Sequence, residues 1–436
     1  MSDVAYTRTK MLAEQEPPAS TVGIVGWFHS RLFSGWFNTV LTILVIAALA
    51  YVLYEFLPWV LSPTWESNSL SECRDILVAL GQEKGHTSGA CWGVIRERWV
   101  QLMFGFYPSD LYWRPIAAFV LMGVALGPIL FAESVPKKLI WFTAIFPFLF
   151  PWLLWGGTVW GPLAAIAGFV IAFYVFKFVA ATMSELVGII AAVVVALIWW
   201  FVLSGYVTDM LNTVAPFGLE LVRSRLFGGF MLSITIGVVA IACSLPLGIV
   251  LALGRQSDLI IVKYLCVGFI EFIRGVPLIT LLIVASTLLN IFLPPGTNFD
   301  IILRVLIMVT LFAAAYMAEV IRGGLAALPK GQYEGADSLG LDYWKAQRLI
   351  IMPQALKISI PGIVSTFIGV FKDTTLVSII GLLDPLGLST AIRADANWNG
   401  IVWELYGFIA LVFWIFCFSM SRYSMYLERK LQTGHR

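Results

Sequence analysis

An all-α integral membrane protein is the fold class that this sequence predicts, and three observations carry the prediction. Hydrophobic residues make up 59% of the 436, while charged residues make up 12%, about half the share of a soluble domain. The mean hydropathy is +0.88. The apolar residues gather into runs of about 20, the length an α-helix needs to cross a hydrocarbon core of about 30 Å. A helix satisfies its own backbone in lipid, so each run reads as a helix.

The net charge of +2 gives no basis for a nucleic-acid partner. Positive residues stand at the ends of the apolar runs, as the inside-positive bias of membrane proteins predicts. The opening MSDVAYTRTKMLAEQEPPAS has no apolar core followed by a cleavage site, so residues 1–35 read as a retained cytoplasmic segment.

The first run is Trp36 to Leu61, preceded by Arg31. A polar loop over 62–114 follows and contains Cys73 and Cys91, which could form a disulfide if the loop lies outside the cytoplasm. Cys243, Cys266 and Cys417 lie in apolar runs and read as packing residues. Pro115 to Phe131 is a second span, closed by the charged turn Glu133 to Lys138. Leu139 to Phe176 carries no charge and is too long for one helix; the Gly and Pro residues of Trp155 to Pro162 divide it into two. Leu186 to Tyr206 is the fifth span, so 36–206 form an N-terminal extension, joined by a linker at 207–226.

A second block over 227–432 repeats the count. Its spans are Phe227 to Gly254, Tyr264 to Asn290, Ile301 to Ile321, Ile360 to Leu383 and Leu405 to Met420, with an exposed turn at Leu293 to Phe299. Ten spans from an inside N-terminus return the C-terminus inside, where Arg422, Arg429, Lys430 and Arg436 fit the charge bias. The same parity places Arg322, Lys330, Lys345, Arg348 and Lys357 inside and the cysteine loop outside, and it allows eight spans but not nine.

Between the third and fourth spans of this block lies a polar segment, Glu334 to Pro353, EGADSLGLDYWKAQRLIIMP. Tyr333 to Leu339 can form a helix, Gly340 can take the positive φ that ends it, and Asp342 can cap a second short helix. Two short helices at an angle make a rigid knob that can enter a groove on a partner and transmit its motion. The plain alternative is an amphipathic connector on the membrane surface.

Written as E-G-A-x3-G-x9-I-x-M-P, the segment resembles the signature loop of ABC importer permeases, E-A-A-x3-G-x9-I-x-L-P. Glu334, Ala336, Gly340, Ile350 and Pro353 match in register; Gly335 and Met352 depart from it. GGFMLSITIG at 228–237, EFIRGVPLITLL at 271–282, AEVIRGGLAALPKGQYEGADSLGL at 318–341 and FKDTTLVSIIG at 371–381 are similar to the polar amino-acid branch, the histidine, glutamine and arginine importers. Val276 stands where that branch commonly has Thr. Long chains with such an extension resemble the larger permease subunits of general L-amino-acid and glutamate/glutamine/aspartate/asparagine importers of Gram-negative bacteria. The resemblance implies a type I ABC importer transmembrane fold, a five-helix core with about five extra N-terminal helices. It further implies an inner-membrane location and a second, related permease subunit. Two ATP-binding cassette subunits carrying ATP and Mg, and a periplasmic amino-acid-binding protein, would complete the assembly. The five matched residues would then couple to the ATPases.

Charges within the spans are the candidates for a substrate path, because a charge at bilayer depth costs about 3 kcal/mol or more and must face protein or water. Glu271 and Arg274, at i and i+3, share a helix face just before Gly275 and Pro277. They either neutralise one another near the cytoplasmic end or line the path. Lys372, Asp373, Thr374, Thr375 and Ser378 form a second cluster whose two charges could receive a carboxylate and an ammonium, or pair internally. Thr375 and Ser378 share a face, whereas Lys372 and Asp373 diverge by about 100°. Glu319 and Arg322 read as a structural pair that sets the angle at which the polar segment leaves the membrane.

No G-x4-G-K-[ST] phosphate loop and no nucleophile elbow occurs, and His29, His86 and His435 are too scattered to hold a metal. The chain is therefore expected to do no chemistry, to bind no cofactor or metal, and to depend on a motor for energy. The competing class is a stand-alone secondary amino-acid transporter that relays ions through Glu271, Arg274, Lys372 and Asp373.

Overall fold

A computed structural model of the chain describes residues 23–80, 89–292 and 300–432. The start of the expected cytoplasmic segment, the turn at Leu293 to Phe299, His86 and His435 lie outside these residues. The chain divides into two compact units, Met1–Gly93 and Val94–Arg436.

The first unit contains α1 (Gly23–Arg31), α2 (Trp36–Val60) and α3 (Leu70–Ala79). α2 is the first candidate span, and none of its residues is buried, as fits a helix whose apolar surface faces lipid. The polar stretch after it is structured. Ser69 caps α3 by accepting from Glu72 N at 3.2 Å, and Glu72 Oε2 accepts from Asn68 N at 2.8 Å. Trp92 stacks on Trp65 with centroids 5.7 Å apart and donates from Nε1 to Val60 O at 2.7 Å.

The second unit opens one residue into α4 (Gly93–Phe104) and continues with α5 (Trp113–Leu130) and α6 (Ile140–Trp155). The short strand β1 (Gly157–Thr158) pairs antiparallel with β2 (Gly218–Leu219), bracketing α7 (Trp160–Thr182), α8 (Glu185–Ile198) and α9 (Ser204–Val214). A π turn at Trp199–Leu203 joins α8 to α9 as one rod. Then come α10 (Gly229–Arg255), α11 (Ile260–Gly275), α12 (Leu278–Phe292), α13 (Ile301–Ala326), α14 (Lys330–Ser338), α15 (Tyr343–Ala346), α16 (Met352–Asp373), α17 (Pro385–Arg393) and α18 (Trp403–Gln432).

Among the described residues, nine helices are long and apolar enough to cross a membrane, and the pair α11–α12 makes a tenth if it counts as one span. That pair is bent by 101°, where a single helix over Tyr264 to Asn290 was expected. Pro277 has no N–H and forces the preceding residue out of helical conformation; Val276 accordingly sits at φ −107°, ψ 131°. Two other boundaries differ from expectation. The 62–114 loop holds α3 and α4, and the linker at 207–226 begins inside α9, because polar residues such as Asp209 extend an apolar helix by two turns without breaking it.

Small residues let the core helices approach, as packing in lipid requires. Ala313, Ala314, Ala315 and Ala318 on α13 are fully or almost fully buried. A Cβ on Gly324 would stand 2.0 Å from Ser359 Oγ on α16. Arg114 on α5 is wholly buried and donates only to backbone: Leu153 O at 2.7 Å, Leu154 O at 3.3 Å and Glu220 O at 2.8 Å.

Candidate functional site

The segment Glu334 to Pro353 is a helix, a turn and the start of a long rod. α14 ends at Gly340, whose φ of +65° belongs to the left-handed region that glycine enters without strain. Asp342 then caps α15 by accepting from Lys345 N at 2.9 Å and pairs with Lys345 Nζ at 2.9 Å. These bonds from Lys345 hold the Asp342 carboxyl below its ordinary range. The second helix is not short, as was expected. A π turn at Gln347–Ile351 carries α15 directly into α16, so one rod runs from Tyr343 to Ile380. Pro353 stands in its interior where the π turn hands over to α16 and the ladder is already irregular.

Ala336 is buried beneath the segment, and Ile350 packs against the core formed by α10, α11, α13 and α16. Glu334 is exposed. Leu339, Trp344 and Leu349 are 73%, 71% and 63% exposed apolar side chains on the segment. Gln354 braces the knob by donating to Gln332 Oε1 at 2.8 Å and Ile350 O at 2.9 Å. Between Gln256 and the two helices opens a cleft of about 320 Å³, lined by Tyr333, Asp337, Tyr343 and Gln347. Gln347 Oε1 is buried there without a hydrogen-bond partner.

Beside the knob lies a charge network that only partly matches expectation. Glu271 and Arg274 do not pair with each other. Arg255 Nη1 reaches Glu271 Oε1 at 2.9 Å and Glu319 Oε1 at 2.7 Å, while Arg274 Nη1 lies 3.8 Å from Glu319 Oε2. Arg322 Nη2 is 2.9 Å from the same oxygen, and the Arg274 guanidinium lies over the Tyr316 ring at 5.5 Å. Glu319 is thus the hub of three arginines. Arg255 closes the apolar run Phe227 to Gly254, and that place was the signal available for it.

Lys372 and Asp373 stand where α16 gives way to a 3-10 stretch, Thr374–Ile380. Neither forms an ion pair among the described residues; Lys372 is exposed and Asp373 half-buried. Thr375 donates to Lys372 O at 2.9 Å and Ser378 to Thr375 O at 3.0 Å, so both hydroxyls follow one edge of that stretch. The two polar clusters are not brought together. Phe371 packs at Gly237 on α10, whereas Glu271 meets Arg255 at the far end of α10, 18 residues or about 27 Å along the helix.

Cys73 and Cys91 are joined by a disulfide, S–S 1.95 Å, with their Cα atoms 5.8 Å apart. Among the described residues no group of His, Cys, Asp and Glu is placed to hold a metal ion.

The family described as "Binding-protein-dependent transport system inner membrane component" matches residues 244–433, from the middle of α10 onward. The chain is 57% identical over 438 residues to the glutamate/glutamine/aspartate/asparagine transport system permease protein BztC of Rhodobacter capsulatus, covering 100% of both chains. It belongs to the ABC amino-acid importer permeases. A second full-length relative of this permease, 40% identical, is the inner membrane amino-acid ABC transporter permease protein YhdY of Escherichia coli, with 98% of this chain and 99% of that one covered. The probable glutamine ABC transporter permease protein GlnM of Bacillus subtilis is 29% identical over 49% of this permease and 95% of its own length. The permease is a multi-pass inner-membrane protein with a type I importer fold. Family membership displaces the stand-alone secondary transporter.

Proposed function

We propose that this permease moves polar L-amino acids across a Gram-negative inner membrane under the control of ATPase subunits that grip the Glu334 to Pro353 knob. One observation carries the reading: the knob is continuous with the rod that bears the intramembrane polar cluster. From Tyr343 to Asp373 is 31 residues, about 46 Å of helix. A push on Trp344 or Leu349 therefore arrives at Lys372, Asp373, Thr375 and Ser378 as a displacement of one body.

Glu334, Ala336, Gly340, Ile350 and Pro353 build and present the joint, with Ala336 and Ile350 as its seat, Gly340 as its corner and Glu334 as its exposed charge. ATP and Mg belong to the two ATPase partners, and the chain itself hydrolyses nothing. A second, related permease chain and a periplasmic binding protein complete the assembly, with both termini and the knob cytoplasmic and the disulfide outside. ATP binding closes the motors and favours one access state; hydrolysis restores the other. Lys372 and Asp373, of opposite sign, receive the carboxylate and ammonium of the passing amino acid. The name of this permease's relative BztC makes glutamate, aspartate and their amides the first substrates to assay. Glu271 and Arg274 contribute at the knob end through the Glu319 hub rather than at the narrow point.

The test is uptake of labelled glutamate and glutamine by proteoliposomes containing the permease with its co-purifying ATPases and binding protein. ATP-dependent uptake is expected, with loss of ATPase co-purification in Gly340→Val. Uptake without the ATPase subunits, or full assembly of Gly340→Val, would sink the reading.

A further inference from the structure

Helix α4 precedes the matched family region by more than a hundred residues of sequence, yet its side chains run into the permease core. Trp398, the bulkiest fully buried side chain among the described residues, donates from Nε1 to Glu97 Oε2 at 2.6 Å. Arg98 Nη2 lies 3.0 Å from Asp395 Oδ2, and the other carboxylate oxygen of Asp395 accepts from Asn397 N at 2.9 Å, capping the 3-10 turn Ala396–Trp398. Trp99 meets Phe408 on α18 edge to face at 6.1 Å.

The far end of α4 holds two further core pieces. Gly105 bridges antiparallel to Phe227, and Phe106 N donates to Leu226 O at 3.1 Å. Gly229, the first residue of α10, has φ +61°, and a Cβ there would stand 2.1 Å from Leu102 O. Its N–H donates to Leu383 O at 2.8 Å, in the turn that follows the 3-10 stretch. One helix of the extension thereby ties together the start of α10, the Leu383 turn and the α17–α18 connection. All three lie at the end of α10 opposite Arg255 and the knob, 27 residues or about 40 Å away.

We propose that α4 is the fulcrum of the permease, and that Glu97 and Arg98 are positioning residues for transport. A push on the knob enters the bundle at one end, and which elements it moves depends on which are held at the other end. The Gly105–Phe227 and Gly229–Leu383 backbone contacts hold the axis of α10. The Arg98–Asp395 and Glu97–Trp398 contacts fix the α17–α18 corner to the same helix, so the corner and α10 form one stationary body. Arg98 and Asp395 are 22% and 35% exposed, which lets their attraction act through protein more than through water.

This inference rests on the proposed coupling role only for where motion enters, so its test reads a ratio rather than assembly. In the complete reconstituted transporter, amino acid imported per ATP hydrolysed is measured for each variant. Arg98→Glu sets an acid against Asp395 and Glu97, and is expected to lower the ratio about tenfold while ATP hydrolysis changes less than twofold. Adding Asp395→Arg should bring the ratio back to within about threefold of the parent. Trp398→Phe keeps an aromatic ring at the site, removes the Nε1 donor and part of the indole volume, and should lower the ratio about threefold. An unchanged ratio in Arg98→Glu, or no recovery in the charge-reversed pair, overturns the fulcrum. Should Arg98→Glu fail to assemble, an unchanged ratio in Trp398→Phe overturns it instead. Failure of the coupling reading registers separately, as Gly340→Val retaining its ATPase.

Discussion

Arg255 Nη1 stands 2.7 Å from Glu319 Oε1, joining the last residue of α10 to the helix that leads into the knob. Glu319 also receives Arg322 and Arg274, so removing its charge leaves three arginines facing each other. Arg322 is 43% exposed and solvent screens its share. Glu319→Gln should therefore destabilise the purified permease by about 1 kcal/mol. Thermal melting in detergent should show a midpoint lower by a few degrees, a gap that narrows in 0.5 M salt as screening replaces the lost carboxylate; a gap that ignores salt would remove the electrostatic account.

Arg114 predicts a larger loss. Its guanidinium satisfies three backbone carbonyls in a fully buried position, and Tyr107 donates to one of them as well, Leu154 O, at 2.8 Å. Arg114→Met keeps much of the volume, leaves Leu154 O its Tyr107 donor and strands Leu153 O and Glu220 O, at a cost of about 3 kcal/mol. The expected result is a strongly reduced yield of monodisperse protein in size-exclusion chromatography. Near-normal yield and melting would mean that the carbonyls find other donors.

Asp384 links stability to pH. It is fully buried at the N-terminus of α17 and accepts from Gly387 N at 3.0 Å and Leu386 N at 3.1 Å, but burial outweighs these bonds and raises its carboxyl from 3.8 to about 6. A raised carboxyl binds its proton more tightly in the folded state. Its contribution is fully present below pH 3.8 and is lost as pH rises through about 6, a total near 3 kcal/mol. Asp384→Asn has no charge to bury and retains one cap acceptor. Its melting profile should be flatter than the parent's between pH 4 and 7, and parallel profiles would refute the assignment.

The disulfide between Cys73 and Cys91 closes a loop with a sequence separation of 18. Constraining a loop of that length stabilises the fold by about 3 kcal/mol. Reduction should accelerate proteolytic cleavage between Ser62 and Gly93 and leave the second unit intact. Labelling of the freed thiols by a membrane-impermeant reagent then reports the side on which they lie.

The parts legible in the sequence are those whose causes are local. Gly340 ends α14 and Asp342 starts the next helix through bonds reaching three residues or fewer, and the residue types alone indicated both. The bend at Pro277 was visible as a residue but not as an angle, because its size depends on what α11 and α12 pack against. The mutual neutralisation of Glu271 and Arg274 that i,i+3 spacing allows was displaced by partners 16 and more residues away: Arg255 for Glu271, and Glu319 for Arg274. A helical spacing states which groups can meet, whereas the strongest competitor for a charge is found only in three dimensions.

The sequence by itself determined the membrane class, the approximate number of spans and the existence of the knob. Hydropathy is summed along a single run, and the knob is written in contiguous turn and cap residues. Only the tertiary structure decided that the knob is one piece with the rod bearing Lys372 and Asp373, that Glu319 gathers three arginines, and that α4 clamps the opposite end. The contacts of α4 join residues 297 and 301 positions apart. Chain folding sets which distant groups share a low-dielectric interior, and no local pattern of residue types encodes that choice.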